Sequence, residues 1–253
     1  MSDIFSRNEL YWGKDFQNYL RGRHVIVFGL GGVGSFCAEA LVRSGVGYLS
    51  IVDFDVVSES NLNRQLPALG STIGQKKTEV LRKRLLDINS DVKIQVFDTF
   101  VSEKNIGDIF SERYDFVADA IDSFRSKIDL MEYCHKNGIS LISSAGAGNR
   151  LDPTKLYISD ISEIKPKNCP FVSRMLSMLK NKGITSGISV VTSREKPKSL
   201  KKVFSEEKIV LEDGEILEMK KFTPASTPFV PAVAGYLMAY FIVDNFLINF
   251  KHE

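Results

Sequence analysis

The sequence predicts an α/β fold: a Rossmann-like, mainly parallel sheet with antiparallel additions in its C-terminal part. Three observations predict it. An apolar run at 24–28 enters the glycine-rich turn Gly29-Leu30-Gly31-Gly32-Val33-Gly34, then a helical pattern, then a second apolar run ending in Asp53. That is the strand, phosphate loop, helix, strand, acid order of a dinucleotide fingerprint. Runs of strand length then alternate with helical periods as far as residue 150, which implies a parallel sheet with right-handed crossovers. After residue 150 the alternation gives way to shorter strands and a hairpin signal without linker composition. One domain, 1–253, is therefore expected, with a nucleotide-binding core at 1–150 and a further part at 151–253.

Taken in order, residues 5–20 read as helical, and 24–28 as the first strand. The glycines open the next helix, and the run ending at Asp53 is the second strand. Residues 54–74 form a polar, glycine-containing loop, and so long a loop inside a domain is usually functional. Residues 75–89 are a helix with Val80, Leu81, Leu85 and Ile88 on one period. Residues 93–97 alternate as a strand, 103–110 make a short helix behind Ser102, and 116–120 are a buried strand with Asp119 and Asp122 at its end. Ser123 is placed to cap a helix reaching Asn137, with Gly138 as its stop. Residues 141–144 are a strand ending in Ala145-Gly146-Ala147-Gly148. Then 156–160 read as strand, 170–180 as a helix with proline in its first turn, 188–191 as strand and 193–202 as a basic loop. Runs at 209–211 and 216–219 flank Glu212-Asp213-Gly214-Glu215, a hairpin signal. These late strands are expected to add antiparallel to the same sheet.

Hydrophobic residues make up 43% and charged residues 25% of the chain, and the net charge is +2. This is ordinary globular composition, and the total charge does not announce a nucleic-acid binder. Cys37, Cys134 and Cys169 form no C-x-x-C pair, which argues against a sequence-local zinc site; their odd number suits a reducing cytoplasm. The first ten residues hold no apolar core, so no secretory signal is read. Residues 229–243 are almost wholly apolar, with Pro231 and Gly235 near the start. About 15 uninterrupted residues fall short of the roughly 20 that a span needs, so a buried or subunit-interface helix is expected rather than a membrane anchor.

The chemistry starts at the glycines. Gly29 permits the tight turn, Gly31 lets a phosphate approach the backbone, and Gly34 lets the helix pack close to the strand. Phosphate would rest on the helix N-terminus, where unpaired N–H groups and the helix dipole favour an anion. Asp53 is placed for ribose hydroxyls. Alone, this fingerprint suits a nicotinamide dehydrogenase. Four further features point to phosphate cleavage. In Ser60-Asn61-Leu62-Asn63-Arg64-Gln65, Asn61 and Arg64 can both turn to a phosphate chain, and hydride transfer needs no guanidinium there. Lys77 at a helix start offers a point charge. Asp122 lies past the C-terminal end of the fourth strand, the edge where open α/β sheets bind ligands, and can hold Mg²⁺ against a triphosphate. Ala145 to Gly148 place a second glycine-rich turn at the next strand end. Singly, Arg64 and Lys77 also read as solvated charges and Asp122 as a helix cap. Together they favour ATP, with a carboxylate attacking the α-phosphate to give an acyl-adenylate and pyrophosphate through positioning and charge neutralisation.

GLGGVGS, IVDFD, SNLNRQ, the helix-start Lys77 and DAIDS resemble the ATP-binding core of the ubiquitin-activating-enzyme superfamily. That superfamily includes the sulfur-carrier adenylyltransferases of thiamine and molybdopterin synthesis. Within it the chain is most similar to the tRNA threonylcarbamoyladenosine dehydratases, through Tyr11-Trp12-Gly13, the run from Gly146 to Thr154 and the ending Phe229-Val230-Pro231-Ala232-Val233-Ala234-Gly235. The resemblance covers nearly the whole chain. It implies that Gly29, Gly31, Gly32 and Gly34 line the nucleotide, that Asp53 with Asp55 serves the ribose side, that Asn61, Arg64 and Lys77 hold the phosphates, and that Asp122 holds Mg²⁺. Arg7 resembles the family's N-terminal arginine, which can reach the active site of the partner subunit. Catalytic roles then fall to Arg64, Lys77, Asp122 and Arg7, with ATP and Mg²⁺ as cofactors. The implied substrate is tRNA bearing threonylcarbamoyladenosine next to the anticodon. Its threonyl carboxylate would be adenylated; the carbamoyl nitrogen would then attack the activated carbonyl, expel AMP and close a hydantoin ring. The implied enzyme is an AMP-forming cyclo-ligase and a homodimer, with 151–253 as its substrate and dimer part and a sulfur-relay protein as a further partner. Positive charge must line an RNA approach, and Arg194, Lys196, Lys198, Lys201, Lys202, Lys165 and Lys167 are the candidates.

Some dehydratases of this kind have a cysteine in the stretch matching 188–191 or near Ala225. This chain has none at either place, which excludes a thiol intermediate there. Cys169 reads as a small residue buried at a helix entry and Cys37 as packing; His24 and His135 have no partner that would make them catalytic. Two other functions compete. An adenylyltransferase acting on the C-terminus of a ubiquitin-like sulfur carrier would commonly carry paired C-x-x-C zinc ligands, which are absent. A nicotinamide-binding protein would take NADH and not ATP.

Overall fold

The computed structural model describes residues 4–165, 169–200, 203–210 and 216–251. Lys167, Lys201, Lys202 and the expected turn at 212–215 lie outside the described residues. Seven strands form one sheet: β1 (His24–Phe28), β2 (Tyr48–Val52), β3 (Lys93–Phe97), β4 (Phe116–Asp119), β5 (Leu141–Ser144), β6 (Leu156–Asp160) and β7 (Ser189–Ser193). Their order is β3-β2-β1-β4-β5-β7-β6. All neighbours are parallel except β6 with β7. The chain leaves β1 to one side for β2 and β3 and returns on its other side with β4. The C-terminal edge between β1 and β4 is therefore the topological switch point, where α/β sheets take ligands.

The helices are α1 (Ser6–Trp12), α2 (Lys14–Arg21), α3 (Gly34–Ser44), α4 (Lys77–Ile88), α5 (Ile106–Ile109), α6 (Phe124–Lys136), α7 (Pro170–Asn181) and α8 (Phe229–Phe250). Val25 and Val27 of β1 join one apolar cluster with residues of α2, α3, α4 and α8. Ile26 and Phe28 join a second with α6 and α7. That split follows from the two-residue period of a strand, and it makes β1 apolar on both faces, as a parallel sheet covered on both sides requires.

The structure corrects several sequence expectations. Residues 5–20 are two helices, because Gly13 takes φ +87° between them. The helix expected at 103–110 is one turn: Asn105 accepts the Ser102 N–H through its side chain, so residues 103–105 are spent on a turn. Ser123 occupies the α6 N-cap position without capping a backbone N–H; its hydroxyl instead accepts from the Ser126 hydroxyl in the first turn of the helix. The late strands do not all add antiparallel to the main sheet. β7 is parallel to β5, and β8 (Val203–Val210) pairs with β9 (Ile216–Thr223) in a separate two-stranded sheet. α8 runs unbroken past Asp244 and Asn245. At 22 residues it is long and apolar enough to cross a membrane, yet Ala234, Met238, Ile242 and Phe246 are buried in the core formed with α3 and the sheet.

Candidate active site

The glycine loop is built as its spacing suggests. Gly29 has φ +82°, and a Cβ there would meet the Ala120 carbonyl at 2.8 Å. A Cβ on Gly34 would collide with the Gly29 carbonyl. The loop is thus pressed onto the segment that follows β4. A Cβ on Gly31 would meet only the Gln65 side chain, 3.7 Å from Nε2, while Gly32 lies against Pro231 and Arg64. The start of α8 and the 61–65 loop therefore flank the N-terminus of α3.

Asp53 follows β2 and is 8% exposed. Its Oδ2 accepts the Leu30 N–H at 2.6 Å and its Oδ1 the Asp55 N–H at 2.8 Å, which ties the end of β2 to the glycine loop. Burial pushes this carboxyl up and Asp55 adds to the effect; Lys77 and the two N–H groups oppose it. Lys77, the first residue of α4, is 4% exposed and bonds Asp55 Oδ2 at 2.7 Å. Its N–H donates to the Asp55 carbonyl, so the ammonium is directed back to the end of β2. Asn61 is buried and closes a turn by accepting the Ser58 N–H. Arg64 donates from Nη1 to the Ser60 carbonyl at 2.8 Å and to Asn63 Oδ1 at 2.7 Å. Partial burial draws its guanidinium below the ordinary range, and the nearby Asp122 carboxylate opposes that. Asp122 is exposed just beyond β4 and outside α6, whose N-cap is Ser123. The glycines, Asp53, Asp55, Asn61, Arg64, Lys77 and Asp122 therefore gather at one edge of β1, β2 and β4.

Arg7 does not join them within its own chain. It is exposed on α1, and its neighbour Asn8 donates to the Arg43 carbonyl at the C-terminal end of α3. The glycine loop is at the other end of that helix, about 16 Å away at 1.5 Å per residue. Lys165, Arg194, Lys196 and Lys198 are exposed, with Arg194 stacked on Tyr157. Cys37 and Cys134 are buried as packing residues, whereas Cys169 is partly exposed at the α7 N-cap. His24 bonds Ser50 Oγ at the opposite edge of the sheet. A cavity of about 650 Å³ lined by residues such as Tyr114, Asp115 and Ser140 also opens at that opposite edge, away from the glycines.

Sequence reasoning missed two groups. Asp119, Lys127 and Ser143 form a fully buried cluster beneath the site; the visible signal was an acid at a strand end and a lysine eight residues on, which says nothing of burial. Asn149, with φ +59°, exchanges two hydrogen bonds with Ala225, and Asn63 donates to the Ser226 carbonyl. Residues 224–227 are thereby strapped across the loops beside the glycines. Gln65 Oε1 and Thr227 Oγ1 are buried there without a partner.

Comparison with known proteins adds to this geometry. The model of the ThiF family matches residues 5–239. The tRNA threonylcarbamoyladenosine dehydratase of Bacillus subtilis (strain 168) is 42% identical over 243 residues, covering 96% of this chain and 94% of that protein. The crystal structure of the E. coli tRNA N6-threonylcarbamoyladenosine dehydratase in complex with ATP matches with a TM-score of 0.83 at 29% identity, covering 99% of this chain and 96% of that one. The same enzyme in complex with AMP matches with a TM-score of 0.84 at 30% identity and the same coverage.

Proposed function

The chain belongs to the ThiF family and, within it, to the tRNA threonylcarbamoyladenosine dehydratases, and from that premise we propose how its own residues carry the reaction. It is an ATP-dependent enzyme that cyclises threonylcarbamoyladenosine in tRNA by adenylating the threonyl carboxylate. The observation that carries the residue assignment is the convergence of the glycine loop, Asp53, Lys77, Arg64 and Asp122 on the switch point of the sheet.

The residues fit ATP. The glycine-rich turn and the N-terminus of α3 receive phosphate. Asp53 has two further acceptor positions beyond those its backbone donors use, which suit ribose hydroxyls. The partnerless Gln65 Oε1 beside Gly31 is a further acceptor for a bound nucleotide. Arg64, Asn61 and Lys77 hold the phosphates and offset the charge that grows on the α-phosphate as pyrophosphate leaves. The donor set also fits Mg²⁺. No cluster of three or more His, Cys, Asp or Glu suited to a metal occurs among the described residues, and Mg²⁺ is commonly held by one or two carboxylates together with phosphate oxygens. Asp122 is the carboxylate so placed, and the ion would screen the triphosphate. Lys165, Arg194, Lys196 and Lys198 draw the tRNA backbone. Three unpaired thiols suit the cytoplasm.

The subunit works as a homodimer. Phe229, Tyr236 and Tyr240 form an exposed aromatic stripe along α8, and a second copy covering it would bring a partner's N-terminal arm, with Arg7, within reach of this site.

Incubation with ATP, Mg²⁺ and tRNA bearing threonylcarbamoyladenosine should release AMP and pyrophosphate and reduce the nucleoside by the mass of one water, and Asp122→Ala should fail. No mass loss with authentic modified tRNA, together with pyrophosphate exchange driven by a ubiquitin-like carrier protein, would show the adenylyltransferase reading to be the right one.

A further inference from the structure

Arg150 is 4% exposed in the loop after β5. Its Nε donates to the Glu195 carbonyl at 3.1 Å and its Nη1 to the Gly148 carbonyl at 3.4 Å, while Nη2 is buried without any partner. The Glu195 carboxylate is occupied by the N–H groups of Leu151 and Asp152. A buried guanidinium without a counter-charge is costly, so this one is short of an anionic acceptor. Gly146 shows where an acceptor fits. The position its Cβ would take lies 2.9 Å from Arg150 Nη1, 3.3 Å from Nη2 and 3.4 Å from Cys169 Sγ. Guanidinium and sulfur thus border the same small space, which glycine leaves open. Outward, Cys169 lines a surface cavity of about 290 Å³ with Tyr157, Lys165, Thr192 and Arg194. It also stands at the N-cap of the twelve-residue α7, the positive end of a helix.

We propose that Cys169 is an oxidation site, at which hydrogen peroxide entering by this cavity converts the thiol to a sulfenic acid held by Arg150. The site is independent of the adenylation reading. Sulfur, as its anion, attacks one peroxide oxygen; the S–O bond forms, the O–O bond breaks, and the departing hydroxide takes the proton the thiol gave up, leaving as water. The new oxygen lies toward Nη2 and supplies the acceptor it lacks. Cys37 and Cys134 are buried, and burial pushes both thiols up, so neither competes for peroxide. Two equivalents of an external thiol would return Cys169 to the reduced form, with release of water and a disulfide.

The test is peroxide treatment of the reduced full-length protein with dimedone present, followed by peptide mass spectrometry. Cys169 should form the adduct about tenfold faster than N-acetylcysteine in the same mixture, with Cys37 and Cys134 unlabelled. Arg150→Gln should slow it about tenfold and Arg150→Lys much less, because the lysine keeps the charge. Labelling of Cys37 in a variant marks unfolding, and the wild-type comparison then decides alone. Cys169 reacting no faster than N-acetylcysteine, or at the same rate in a folded Arg150→Gln protein, overturns the assignment.

Discussion

Lys127 carries its charge into a place closed to water: it is 1% exposed, and its partner Asp119 is fully buried. Nζ lies 2.6 Å from Asp119 Oδ2 and 3.0 Å from Ser143 Oγ, and that hydroxyl donates to the same carboxylate oxygen. The other oxygen accepts the Ile121 N–H at 3.0 Å, so the cluster shapes the turn that leads to Asp122. Lys127→Met should cost about 3–5 kcal/mol in urea unfolding, because Asp119 is left buried and unpaired; pairing it with Asp119→Leu should recover much of the loss. The placement of Asp53, Arg64 and Lys77 near the glycine loop was legible because they follow the glycine motif in a readable strand, loop and helix order. Lys127 was not, since a lysine inside a helical period looks the same in sequence whether it faces solvent or an acid on the next strand. His24 is a second residue whose state depends on burial. Burial lowers its pKa against the pull of Glu112 and Asp115. Between that lowered value and the ordinary 6.5 the native state binds fewer protons than the unfolded chain. Its contribution to stability therefore falls as pH drops through the window and levels off below it. The thermal midpoint should decline as pH falls below 6.5, and His24→Gln should reduce that decline.

At the scale of elements, the site depends on how closely α8 approaches α3. Gly235 makes that approach possible: a Cβ there would collide with the Val33 carbonyl and meet the Phe36 side chain at 2.9 Å. Val33 belongs to the glycine loop, so pressure at Gly235 is passed to the phosphate-binding turn. Gly235→Ala should therefore lower stability by about 1–3 kcal/mol, as overpacking does, and also weaken ATP binding, which calorimetry can measure separately. Loss of stability with unchanged ATP affinity would mean that the loop does not feel the helix. The strands at 24–28, 93–97, 141–144 and 156–160 were readable to the residue because short apolar or alternating runs carry the strand period locally. The hairpin was recognised by its turn signal, but its separation from the main sheet was not, because strand partners are chosen by long-range contacts that leave no local mark. The break at Gly13 was hidden inside a sequence with helical residues on both sides; only its positive φ reveals it.

For the whole molecule, the position of the N-terminal arginine sets how subunits share a site. Arg7 sits beside the C-terminal end of α3, and its own chain's glycine loop is at the other end. If Arg7 serves catalysis, it serves a second subunit, and the exposed stripe of Phe229, Tyr236 and Tyr240 is the surface that would hold that subunit. The two ideas are tested together by mixing. Arg7→Ala and Asp122→Ala proteins should each be nearly inactive alone. When their subunits are exchanged, half the dimers are mixed, and each mixed dimer has one site with an intact Asp122 and an intact Arg7 from its partner. Activity should return to about one quarter of wild type, the share set by twofold symmetry and random pairing. Should Arg7 act within its own chain, every site in the mixture lacks one of the two residues and no activity returns. Tyr240→Glu places a charge in the aromatic stripe; sedimentation should then show a monomer, and mixing should restore nothing. Recovery that persists in a Tyr240→Glu background would place the subunit contact elsewhere on the molecule.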